Sequence, residues 1–161
     1  TVLISLGGVP GFLCAAWLVE SWGRKPTCIA ALIGGAVMAY AYGQSALYGG
    51  SIGLLIGTGL AMQFFLFGMW AVLYTYTPEL YGTGVRATGS GLASAVGRVG
   101  SLIGPYAVGV VLPTFGQGGV FTLGAMSFGV AAFAVWLLGI ETKGVTLEAL
   151  SPAAEPDAAA P

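Results

Sequence analysis

Apolar residues in this chain run in long blocks that charge does not interrupt. No charged side chain occurs in residues 1–19, 26–78 or 99–140. A helix crossing a hydrocarbon layer of ~30 Å needs about 20 mainly apolar residues, each rising ~1.5 Å. The first block therefore holds one span, and the second holds two separated by residues 44–50. The third holds most of two more, divided near 113–119. The pattern predicts five transmembrane helices, at about 2–21, 26–43, 51–76, 84–112 and 119–140. The blocks lack the apolar/polar alternation of outer-membrane strands, which excludes a barrel. The expected fold is all-α, a polytopic membrane helix bundle over residues 1–142. A cytoplasmic disordered tail rich in Ala and Pro is expected over 143–161.

Composition sharpens this reading. Five basic and six acidic residues make the chain 7% charged and 57% hydrophobic, where soluble domains carry about 25% charge. So few charges cannot clothe a surface in water. The net charge of −1 gives no electrostatic case for nucleic acid. Two cysteines and no histidine leave no zinc site, no disulfide framework and no Ser-His or Cys-His catalysis. The composition is that of a membrane protein and not of an enzyme.

Orientation follows from the basic residues. Arg24 and Lys25 follow the first expected span, Arg86 opens the fourth and Lys143 follows the fifth. With five spans all lie on one side, which the positive-inside rule makes cytoplasmic. The amino end is then outside and the carboxyl end inside. The chain begins at Thr1 with no basic region or cleavage site before the first span, which suggests a carboxyl-terminal fragment of a longer protein.

Small residues recur at four-residue spacing: Gly7, Gly11 and Ala15; Gly53, Gly57 and Ala61; Gly89, Ala93 and Gly97, continuing to Gly100 and Gly104. Such rows predict close packing seams between helices. Pro10 and Pro105 fall inside helices and permit bends. Glu20, Arg24, Lys25, Glu79, Arg86 and Glu141 gather at expected cytoplasmic helix ends. They read either as a latch between helix bundles or as solvated boundary charges, each pair then worth about 0–1 kcal/mol. Cys14 and Cys28 read as reduced, packed thiols.

Four segments resemble the major facilitator superfamily. Gly23-Arg24-Lys25 resembles the second-half copy of its loop motif, and 74–81 with 85–89 resembles the segment joining its tenth and eleventh helices. Gly97-Arg98-Val99-Gly100 and Gly104-Pro105 extend that likeness. Glu141-Thr142-Lys143-Gly144 with Leu147-Glu148 is similar to the ending of sugar-porter-like members. Glu20, Ser21, Gly82 and Ile140 depart from the usual motif residues. The resemblance implies helices eight to twelve of a secondary transporter that moves a small organic solute by alternating access. The Arg98-bearing stretch is most similar to metabolite–proton symporters, such as niacin and aromatic-acid carriers, and to organic-ion transporters.

Arg98 lies 12 positions after Arg86, about 18 Å along a helix axis and hence near the membrane midplane. An arginine there costs at least ~2.5–3.5 kcal/mol on insertion scales, so it should face a wet cavity or a partner. The open alternatives are a solute contact, backbone carbonyls, or a carboxylate in another part of the protein. The resemblance places Arg98 at a central cavity, where a guanidinium suits a carboxylate solute. Gln63, Trp70 and Tyr74 are further cavity candidates on the third span, the alternatives being interhelical glue and ordinary packing. No acidic residue shares this depth, so a proton-coupling group is expected in the amino-terminal half. The competing functional reading is a non-transporting membrane protein or a structural half needing a partner.

Overall fold

A computed structural model describes residues 2–81, 86–141 and 143. The expected tail, Lys143 apart, lies outside the described residues, as do Gly82, Val85, Thr142 and Glu148. All regular structure among the described residues is helical: α1 (Val2–Ser5), α2 (Gly8–Ser21), α3 (Arg24–Leu47), α4 (Ile52–Glu79) and α5 (Arg86–Leu138). By length and composition α3, α4 and α5 can cross a membrane.

Helix ends follow local chemistry more than the polar gaps do. Pro10 has no N–H for the Leu6 carbonyl and its ring crowds it. The helix accordingly breaks between α1 and α2, and Leu6 O accepts the Val9 N–H instead. The loop expected over 44–50 is shorter, because α3 continues to Leu47. There the Gly50 N–H turns back onto the Ser45 carbonyl at 3.0 Å and closes the helix. Ser51 then caps α4, accepting the Leu54 N–H at 3.3 Å.

The fourth and fifth expected spans follow one another as the two arms of α5, with only the kink at Gly116 between them. The 53 residues of α5 are more than one ~30 Å crossing requires. It is broken at Gly116, whose φ of 65° and ψ of −168° lie where only glycine sits without strain. The arms on either side, 86–115 and 117–138, are about 45 and 33 Å long. Pro113, expected in a loop, is helical.

Contacts fix how the elements run. Gly7, Gly11 and Gly68 place α2 beside α4 in the same direction: a Cβ on Gly7 would meet the Leu60 carbonyl at 2.7 Å, and one on Gly11 the backbone of Phe64. The second arm of α5 returns antiparallel to α3, with Phe121 against Gly43 and Leu47 against Gly118 at one end and Glu141 against Gly23 at the other. Ala15, Val19, Cys28, Leu32, Met69, Val72, Tyr76 and Ala132 form the core, with Cys28 and Val72 wholly buried.

Only one of the three expected seams is used as such. Gly53 has no contact closer than 4.0 Å at a Cβ, and Gly57, Gly97, Gly100 and Gly104 have none within 4 Å. Gly59 and Gly68 carry the α4 contacts instead, and Gly89 lies under the Tyr81 ring. Spacing shows where a backbone can be approached, but not whether anything approaches it.

Candidate functional site

The charged end of the bundle is a compact cluster built on α3. Its first residue, Arg24, donates from Nε to Glu79 Oε2 at 2.9 Å and from Nη2 to Glu79 Oε1 at 3.1 Å. This two-point pair joins α3 to the last turn of α4. Glu141 reaches back from beyond α5 to cap α3, accepting the Arg24 N–H at 2.9 Å and the Lys25 N–H at 3.1 Å. Gly23 makes room for it. A Cβ there would lie 2.8 Å from the Glu141 carboxylate, and the φ of 111° disfavours any side chain. Lys143 completes the cluster, its N–H donating to Glu141 and its Nζ to the Ser21 carbonyl. The Tyr76 hydroxyl donates to the Ile140 carbonyl at 2.6 Å just inside.

Of the six residues expected at this end, the structure joins Arg24, Glu79, Glu141 and the backbone of Lys25. Glu20 is exposed and makes no salt bridge among the described residues, although its charge adds to the field at Arg24. Arg86 is set apart. Its Nε and Nη2 are buried and have no hydrogen-bond partner among the described residues, and the same holds for Ser90 Oγ.

A second feature lies between α4 and the first arm of α5. These two touch little, and the opening between them is a cleft of about 580 Å³. Trp70, Tyr74 and Thr77 line it from α4, with Ser90, Ser94, Arg98 and Ser101 opposite. The Trp70 and Tyr74 rings are 5.6 Å apart and inclined by 30°, forming a continuous aromatic surface. Both are exposed, by 51% and 72%, as is Arg98. Three of the four cavity candidates therefore share one cleft. Gln63 is half-buried seven residues before Trp70 and is not part of the lining. The hydroxyls went unrecognised in the sequence, although Ser90 and Ser94 fall at the four-residue spacing that aligns them with Arg98.

The cleft thus carries one guanidinium, two aromatic rings and a row of hydroxyls among apolar helices. Among the described residues there is no group of acidic, cysteine or histidine side chains that could hold a metal. Residues 1–154 match the sugar (and other) transporter family. The chain belongs to that family. This is a transporter family within the major facilitator superfamily and not a family of enzymes, and the chain is a multi-pass membrane protein.

Among its relatives is the niacin transporter NiaP of Acinetobacter baylyi, 40% identical over 151 residues, covering 92% of this chain and 33% of that protein. The inner membrane metabolite transport protein YdjE of Escherichia coli is 33% identical, over 94% of this chain and 33% of its own length. A synaptic vesicle 2-related protein of Xenopus laevis is 32% identical, over 89% and 25%. The chain spans about a third of the length of the curated relatives it matches. In this family member the charged cluster and the open cleft share α4, Glu79 at its end and Trp70, Tyr74 and Thr77 just before it.

Proposed function

We propose that this sugar-transporter-family chain supplies a solute-binding wall and a cytoplasmic closure of a secondary transporter. It spans the membrane five times, with its amino end outside and its charged cluster in the cytoplasm. The solute is a small organic carboxylate with a planar ring, moved by alternating access around a midplane site. Transport is coupled to protons through a carboxylate that residues 1–140 do not supply at that depth.

The observation that carries this reading is the cleft that sets Arg98 across from Trp70 and Tyr74. A guanidinium at midplane needs water or a polar partner, and its planar edge matches a carboxylate at two points. The aromatic pair offers a stacking surface in the same cleft. Niacin, named for one relative, has this ring-plus-carboxylate form. The Arg24–Glu79 pair and the Glu141 cap support a closure at the charged end, because they tie together the ends of three elements.

The test is uptake of radiolabelled nicotinate by the carrier containing this segment, reconstituted in proteoliposomes. Arg98→Ala is expected to lower kcat/KM by about 10- to 100-fold, equivalent to a charge-assisted hydrogen bond of about 1.5–3 kcal/mol. Arg98→Lys keeps the charge but loses the two-point edge, and falls between wild type and Ala. Unchanged uptake in both variants overturns the proposal.

A further inference from the structure

Serine and threonine hydroxyls in the helices of this chain mostly bond their own backbone. Those of Thr27, Thr58, Thr75, Thr114, Thr122 and Ser127 each donate to the carbonyl four residues back. Such a bond satisfies a hydroxyl among apolar helices with no outside partner. The cleft between α4 and the first arm of α5 departs from this habit. Of its aliphatic hydroxyls, Ser101 Oγ is committed to the Arg98 carbonyl at 2.7 Å, and Ser90 Oγ is closed off. Thr77 and Ser94 line the cleft and make no hydrogen bond among the described residues. Ser94 is exposed and Thr77 half-buried, and neither hydroxyl is enclosed as that of Ser90 is. Thr75, two residues before Thr77, bonds the Ala71 and Val72 carbonyls. The difference therefore belongs to the cleft face and not to this stretch of helix.

We infer that Thr77 and Ser94 set the solute specificity of the cleft, by hydrogen-bonding a heteroatom or hydroxyl on the solute's ring while Arg98 holds its carboxylate. This rests on the carboxylate reading of the cleft and narrows it to ring carboxylates that carry a second polar group. Thr77 stands one turn beyond Tyr74 and two beyond Trp70, and Ser94 one turn before Arg98. Each wall thus presents a group for one part of a ring carboxylate and, a turn away, an uncommitted hydroxyl. One turn is about 5.4 Å, comparable with the reach from a carboxylate across its own ring.

A hydroxyl donates to a ring nitrogen and accepts from a ring hydroxyl, so either substituent is read. A bare C–H edge in the same place strips water from both side chains and returns nothing. A site that offers hydrogen bonds discriminates against a solute lacking the partner more sharply than an apolar pocket does, because its own polar groups are left unpaired.

The test uses the whole carrier in proteoliposomes, with uptake of radiolabelled nicotinate competed by unlabelled nicotinate or benzoate. The two competitors share charge and outline and differ at the ring nitrogen. In the wild type nicotinate is expected to compete about ten-fold better than benzoate. Ser94→Ala and Thr77→Val each reduce that ratio about three-fold and together abolish it, by weakening nicotinate while benzoate stays within about two-fold. Thr77→Ser keeps the hydroxyl and the ratio. The benzoate constant reports folding, and if Thr77→Val loses both competitors, Ser94→Ala carries the test.

Arg98→Ala is expected to weaken both competitors at least ten-fold and to leave their ratio unchanged. A wild type that does not distinguish the two, or a ratio that survives in Ser94→Ala and the double variant, overturns the inference while leaving Arg98 intact. Competition by both that is insensitive to Arg98→Ala instead overturns the carboxylate reading, and the specificity pair with it.

Discussion

Arg24 and Glu79 form a two-point ion pair, and their partial exposure, 23% and 28%, limits what it contributes. A two-point pair in that setting is stronger than an isolated surface pair but remains screened by water. A double-mutant cycle with Arg24→Ala and Glu79→Ala should give a coupling of about 1 kcal/mol in thermal unfolding of the detergent-solubilised carrier. Coupling near zero would reduce the pair to a boundary charge. Glu141 acts differently, on the first two backbone N–H groups of α3, which no side chain of their own segment caps. Sequence alone placed all these charges at one end, because ionised groups avoid hydrocarbon. It could not say that Glu141 would choose backbone amides over a side-chain cation, since that depends on Gly23 adopting a positive φ.

Among the elements, α2 against α4 is the contact most sensitive to added volume. Gly11→Ala forces a methyl into the Phe64 backbone, and overpacking of this sort costs about 1–3 kcal/mol. A lower melting temperature is expected for Gly11→Ala, and none for Gly100→Ala, whose Cβ meets nothing. Similar losses in both would mean that the two faces are equally occupied. Gly116 is sensitive for another reason. Its backbone conformation is essentially confined to glycine, so Gly116→Ala should destabilise the hairpin of α5 by about 1–3 kcal/mol, read in the same melting assay. The two helical arms were legible from hydrophobic length, whereas their junction was not. Polar, Gly- and Pro-bearing residues over 113–119 read as a loop, yet one glycine dihedral makes the reversal and the flanking residues stay helical.

For the molecule as a whole, the burial pattern is lopsided. The second arm of α5 packs on α3 and contributes Ala132 to the core, while Ser94, Gly97, Arg98 and Ser101 on the first arm are exposed. Arg98, Trp70 and Tyr74 could be paired in advance because a charge and large aromatics stand out against small apolar neighbours. Gln63 was grouped with them by helix alone, and the cleft ends short of it. Ser90 and Ser94 were overlooked because hydroxyls in membrane helices usually bond their own backbone, as Ser101 and Ser127 do here.

The first arm is fastened near its start, where Tyr81 lies over Gly89, and near its finish, where Gly116 folds it back toward Leu47. A beam clamped at its tips and slack along its flank deflects furthest at its centre. Arg98 lies near that centre, so bending of this rod would carry its guanidinium along the aromatic wall it faces.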